Sequence, residues 1–306
     1  MLERCQSGEL GPEVGVRLAG ALRYYWEATG KLAEGTAWLN AMLSISTGLP
    51  AAVRAKALCG LGVLAYWRGD YQQGAIFCQQ ALDAGQEHGD MVIVGEAQHF
   101  LAHVAQHQGD PDQGEALLTA SHGNFLAIDH RWGVRRARNC LADALRLQQK
   151  YDLAARNLEE AIREQRESTG ERDIMLAMYL SNYGNVLNRQ GKYQQARHCF
   201  REGIRISHAL NNRLLLAYLV DGLAGNAVLS GRAEEAAGLM GASTAIFEAE
   251  KVTSMAAIDQ VDHDYYVAEV EARLEPHRLR ALQEMGKQMT AKETVDYVLE
   301  QQELAD

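Results

Sequence analysis

Apolar positions along this chain follow a period near 3.6 residues and are broken at regular intervals by short polar turns. That is the pattern of amphipathic helices that bury one face each. The turns are marked by Gly30, Gly69, Gly109, Gln149, Gly191 and Gly231, which lie 39, 40, 40, 42 and 40 residues apart. Five residues after each mark stands a small residue: Gly35, Gly74, Gly114, Ala154, Ala196 or Ala236. Seven before the marks are Arg23, Gly62, Ala102, Ala142, Gly184 and Ala224, and nine after them are Leu39, Cys78, Leu118, Leu158, Phe200 and Met240. One small and one bulky side chain per helix predicts antiparallel helices that interlock. Asp70 before Gln73 and Asp110-Pro111 before Gln113 have the spacing of N-caps, with Pro111 at a first helical position. The period accommodates two helices of about 17 residues, each about 25 Å long at 1.5 Å per residue.

The segments SNYGNVLNRQGKYQQARHCFREGI (Ser181–Ile204) and ALCGLGVLAYWRGDYQQGAIFCQQAL (Ala57–Leu82) resemble the tetratricopeptide repeat, and the resemblance extends over about residues 12–250. Arg23 in place of a small residue and Gln149 in place of the turn glycine depart from the pattern. The period exceeds the family's usual 34 residues, which predicts longer helices. The resemblance implies an all-α, right-handed superhelix of about six helix pairs over residues 1–250. Residues 251–306 are expected to form C-terminal capping helices, through 258–274, 276–285 and 290–299, with Thr290 and Glu293 as a capping box. The stretches RYYWEATGKLAEGTAWLNAML, AAGLMGASTAIFEA and MTAKETVDYVLEQ also resemble the C-terminal sensor arms of bacterial STAND and LuxR-type transcriptional regulators. That likeness implies an ATPase and a DNA-binding module, attached or separate.

Composition narrows the function. With 306 residues, 47% hydrophobic, four prolines and 7% aromatics, the chain has the make-up of a helical globular protein. A net charge of −10 lacks the basic footprint of a nucleic-acid-binding domain, so no direct nucleic-acid partner is expected. Cys5, Cys59, Cys78, Cys140 and Cys199 are scattered without a CxxC pair, as buried thiols of a reducing compartment are. MLERCQSGEL lacks the apolar core of a signal peptide, and no membrane span is visible, so a cytoplasmic location is expected. GxxxxGK[ST], HExxH and GxSxG do not occur, and no enzyme activity or cofactor is expected.

In this repeat family the first helix of each pair lines a concave groove. The resemblance places Tyr66, Trp67, His99, His103, His107, Arg136, Asn139, Asp143, Arg146, Ser181, Asn185, Asn188 and Arg189 there. Amides for a peptide backbone, arginines for its carboxylates and aromatics for its apolar side chains suit an extended protein segment. Asn185 either grips such a segment or bonds a neighbouring helix. Arg136, Arg146 and Arg189 form either a basic stretch for an acidic peptide or a solvated charged face. His99, His103 and His107 make one helical stripe with Glu96 a turn before, but no second helix visibly supplies a fourth ligand, so no metal is assigned. Asp259, Asp262, His263 and Asp264 are expected as a helix start or an exposed polar turn. The function expected is a peptide-binding regulatory scaffold used in signal transduction. The alternatives are a small-molecule sensor around Tyr66, Trp67, His103 and His107, and a stand-alone adaptor or phosphatase-like regulator.

Overall fold

A computed structural model describes residues 1–169, 173–250, 255 and 257–300. The expected boundary between array and cap, at residue 251, and the last residue of MTAKETVDYVLEQ lie outside them. The chain divides into two compact units, Met1–Ala144 and Leu145–Asp306. Among the described residues every regular element is a helix, and none is long and apolar enough to cross a membrane.

The first unit holds α1 (Leu2–Gln6), α2 (Pro12–Ala28), α3 (Leu32–Ile45), α4 (Ala51–Trp67), α5 (Tyr71–His88), α6 (Met91–His107), α7 (Pro111–Ala127) and most of α8 (Arg131–Leu147). The second holds α9 (Tyr151–Thr169), α10 (Ile174–Arg189), α11 (Tyr193–Ala209), α12 (Arg213–Leu229), α13 (Ala233–Ala249), α14 (Ala257–Glu271), α15 (Pro276–Lys287) and α16 (Ala291–Glu300). From α2 to α13 the helices form six pairs, most of them 17 residues long, as the 40-residue period requires.

Each sequence mark sits in a tight turn with left-handed backbone. Gly69 takes φ +80°, and at the fourth mark Gln149 adopts the same conformation at φ +59° without glycine's freedom. The turn is therefore kept where its signature residue is lost. Asp70 and Asp110 accept hydrogen bonds from the backbone N–H of Gln73 and Gln113 at 3.1 and 2.9 Å, which caps α5 and α7.

Small and bulky positions interlock as the pattern requires. A Cβ at Gly62 would lie 2.4 Å from Cys78 Sγ, and one at Gly184 would lie 2.6 Å from the Phe200 ring. Ala102 and Leu118 share one buried cluster. Arg23 breaks the rule yet is 1% exposed, because a buried carboxylate meets it.

In the second unit α14 packs on α12, α15 on α13, and α16 on α11 and α13. Backbone meets backbone between α13 and α15: a Cβ at Gly241 would lie 2.0 Å from the Gln283 carbonyl oxygen, and one at Gly286 would lie 1.9 Å from that of Gly238. Thr290 and Glu293 form the expected capping box, with N–H bonds of 2.8 and 3.2 Å in the two directions.

Candidate functional site

In the first unit, a polar network joins α2, α4 and α6, the first helices of three pairs. The Arg23 guanidinium on α2 donates to Glu96 on α6 at 3.0 Å, and both side chains are nearly inaccessible. The Tyr24 hydroxyl donates to the other Glu96 oxygen. Arg23 also reaches Glu27 at 3.4 Å, and Glu27 accepts from the Trp67 indole N–H at 3.1 Å. Burial would lower the Arg23 pKa, but Glu96 together with Cys59, Tyr24 and Glu27 outweighs it and holds the guanidinium above its ordinary value. Burial, reinforced by Glu96, pushes the Tyr24 phenol up. Beside this network lies a cavity of about 580 Å³, lined by Tyr24, Lys56, Asp90, Val92, Ile93, Glu96, His130 and Trp132. Its walls come from α2, α4, α6 and α8, and Tyr24 and Trp132 meet edge to face at 6.0 Å.

The histidine stripe runs from the interior to the surface. His99 is buried, His103 half-buried and His107 exposed. The Tyr66 hydroxyl lies 3.0 Å from His107 Nε2, and the His107 ring stacks on Tyr71 at 4.4 Å. Trp67 stands 53% exposed, whereas Trp26 in the other aromatic group is buried, so the adjacent aromatics divide between core and surface. Arg136 lies over the rings of Phe100 and Trp132, at 4.9 and 5.1 Å. Asn139 is buried and Asp143 half-buried on the same helix, flanking Cys140. The cavity's lining does not include Tyr66, Trp67, His103 or His107.

In the second unit the expected groove residues come together around α14 of the same chain. Asp262 pairs with Arg146 at 3.4 Å and with Arg189 at 3.2 Å, and Asp259 pairs with Arg146 at 3.3 Å. Arg189 also covers the Tyr265 ring at 3.9 Å. The Tyr266 hydroxyl donates to Asn185 Oδ1 at 3.2 Å and accepts from Asn188 Nδ2 at 3.3 Å. Asn188 in turn accepts from Asn226 at 2.9 Å. His263 Nδ1 is 2.9 Å from Asp221 on α12. Ser181 is buried on α10. Room for the Tyr266 ring exists because Gly225 has no side chain: a Cβ there would sit 2.4 Å from the ring. Burial pushes Asp259 and Asp262 upward against the pull of Arg146, and it pushes the Tyr266 phenol up as well.

Two expectations are thereby refined. The acidic run does begin a helix, but Asp262 is 2% exposed and serves as a buried counter-ion, so it is no exposed turn. Asn185 bonds a neighbouring helix of its own chain. Sequence reasoning missed Tyr266 and Trp132. Asp259, Asp262 and Tyr266 are spaced i, i+3, i+7, which puts them on one helical face. Trp132 holds the second position of a first helix, as Val92 does, so both were findable by register.

Residues 133–209 match the family model described as tetratricopeptide repeat. No curated protein matches the chain. Solved structures share the architecture. BtubC (BKLC) from P. vanneervenii is 15% identical with a TM-score of 0.58, over 80% of this chain and 94% of that one. A Rap protein complexed with competence and sporulation factor is 12% identical with a TM-score of 0.61, over 89% and 80%. The apo form of the quorum sensor NprR from B. thuringiensis is 14% identical with a TM-score of 0.61, over 97% and 91%. At these identities the likeness establishes the fold.

Proposed function

We propose that this tetratricopeptide-like repeat chain is a regulatory scaffold that binds a segment of a partner protein on the first-helix face of its first unit. The observation that carries the reading is the seating of α14 in the second unit. There the first-helix face holds a helical segment through arginine–carboxylate pairs, an asparagine pair and a slot for an aromatic ring. The same kind of face in the first unit carries Tyr24, Lys56, Glu96 and Trp132 around an open cavity. Aromatic walls with a few placed charges suit one anchoring side chain of a bound peptide.

The Rap protein named above is complexed with competence and sporulation factor, and NprR is a quorum sensor. By that analogy this chain is a non-catalytic sensor arm, residues 1–250 being its array and 251–306 its cap. It would act in the cytoplasm on an ATPase and DNA-binding module, attached or separate. A peptide bound at micromolar affinity supplies about 8 kcal/mol, and only its differential affinity for two conformations of the arm would switch such a partner.

Selection from a displayed random-peptide library on the full chain tests this. The expected result is peptides whose binding is lost in Trp132→Ala and Lys56→Glu and kept in Asn185→Ala. Failure to enrich any peptide, or binding indifferent to Trp132→Ala, would sink it. A second reading, a small-molecule sensor, is favoured by the cavity's size, which lies within the range of ligand pockets. Peptides that bind without displacing one another from that cavity would point to it.

A further inference from the structure

The polar cluster between α6 and α8 in the first unit lies one turn beyond the cavity wall at Glu96 and takes no part in the peptide reading. His99 and His103 stand at i, i+4 on α6, and Cys140 reaches them from α8. His99 Nε2 is 3.3 Å from His103 Nε2 and 3.7 Å from Cys140 Sγ. The three donor atoms all lie within 4.8 Å of one another.

The two separations from His99 match two edges of a coordination tetrahedron. With zinc–nitrogen bonds of about 2.0–2.1 Å and a zinc–sulfur bond of about 2.3 Å, tetrahedral angles put nitrogen about 3.3 Å from nitrogen and about 3.6 Å from sulfur. We propose that His99, His103 and Cys140 are the protein ligands of a zinc(II) ion that ties α6 to α8.

The donor chemistry agrees with that ion. Two imidazoles and one thiolate are a borderline-soft set that suits zinc and disfavours magnesium or calcium, which take oxygen ligands. A neutral imidazole presents one ring lone pair to a metal. On binding, the sulfur–hydrogen bond breaks, a sulfur–zinc bond forms, and the proton passes to solvent. Three protein ligands leave the fourth corner to water or to a donor from a bound molecule. Sequence inspection could find the two histidines; Cys140, 37 residues beyond His103, is brought in by the stacking of successive repeats.

Cobalt(II) provides a spectroscopic stand-in. Titrated into the full chain after chelator treatment, it is expected to saturate at one equivalent. A thiolate-to-cobalt charge-transfer band and intense visible bands of four-coordinate cobalt should appear, and zinc(II) should bleach both. Cys140→Ser should abolish the charge-transfer band, His103→Gln should weaken zinc binding more than about 100-fold, and His277→Gln should leave both unchanged. Circular dichroism distinguishes lost ligation from lost folding, and either folded ligand variant suffices. No charge-transfer band at stoichiometric cobalt, or a band that survives Cys140→Ser, overturns the site.

Discussion

The two units bury arginines on the same kind of helical face but obtain the counter-charge differently. In the first, Arg23 is met by Glu96, and both belong to first helices of the repeats. In the second, Arg146 and Arg189 are met by Asp262, which belongs to α14, outside the repeats. The first unit therefore satisfies its own charges and leaves a cavity beside them. The second fills its face with a segment of its own tail. A repeat face is thus a surface that holds a helix when the helix brings carboxylates and a tyrosine.

The largest expected effects remove the counter-charges. Asp262→Ala leaves Arg189 and part of Arg146 uncompensated, and Glu96→Ala leaves Arg23 only the longer contact to Glu27; each should cost about 3–5 kcal/mol locally. Hydrogen exchange followed by mass spectrometry should show α14 losing protection in the first variant, and α2 and α6 in the second. Equal loss across both units in either variant would erase the distinction drawn here. Next comes overpacking: Gly241→Val drives a side chain into the Gln283 carbonyl and should cost about 1–3 kcal/mol, read as lost protection in α15 with α4 unchanged.

Tyr266→Phe removes one hydroxyl and leaves Asn185 Oδ1 and one Asn188 proton without that partner, at about 1–2 kcal/mol. Tyr24→Phe, the matched change in the first unit, takes a donor from Glu96, which keeps Arg23, and should cost less.

The smallest effect is a pH dependence. The hydrogen bond to Asp221 raises the His263 pKa above its ordinary 6.5, against burial, with Asp264 on the same helix adding to the rise. Asp221 faces it from α12 and is itself met by Ser243 of α13. A pKa raised on folding gives stability that is complete below about 6.5 and is lost as pH rises through the folded value. Docking of α14 should therefore weaken, by under about 1 kcal/mol, on the alkaline side of 6.5. His263→Gln should flatten that dependence, measured as α14 exchange after correction for intrinsic rates.

Much of this architecture was legible as spacing. The 40-residue period, the small residue opposite a bulky one, the Asp70 and Asp110 caps and the Thr290–Glu293 box are local or one-repeat relations, and each stands where the pattern put it. What the sequence concealed are pairings across many repeats. Asp262 and Arg146 are 116 residues apart, and nothing in either neighbourhood names the other. Arg23 looked like a flaw in the first repeat because its partner, Glu96, lies two repeats on. The groove arginines were visible as charges, but whether a tail or a partner answers them depends on where α14 docks.

The central claim is that the second unit's face is filled by α14 and the first unit's face is open to a partner. Hydrogen exchange of the full chain, with and without a peptide selected for binding to it, tests this most directly. The account predicts new protection in α2, α4 and α6 with α14 unchanged. Protection in α10 and α12 accompanied by release of α14 would contradict it.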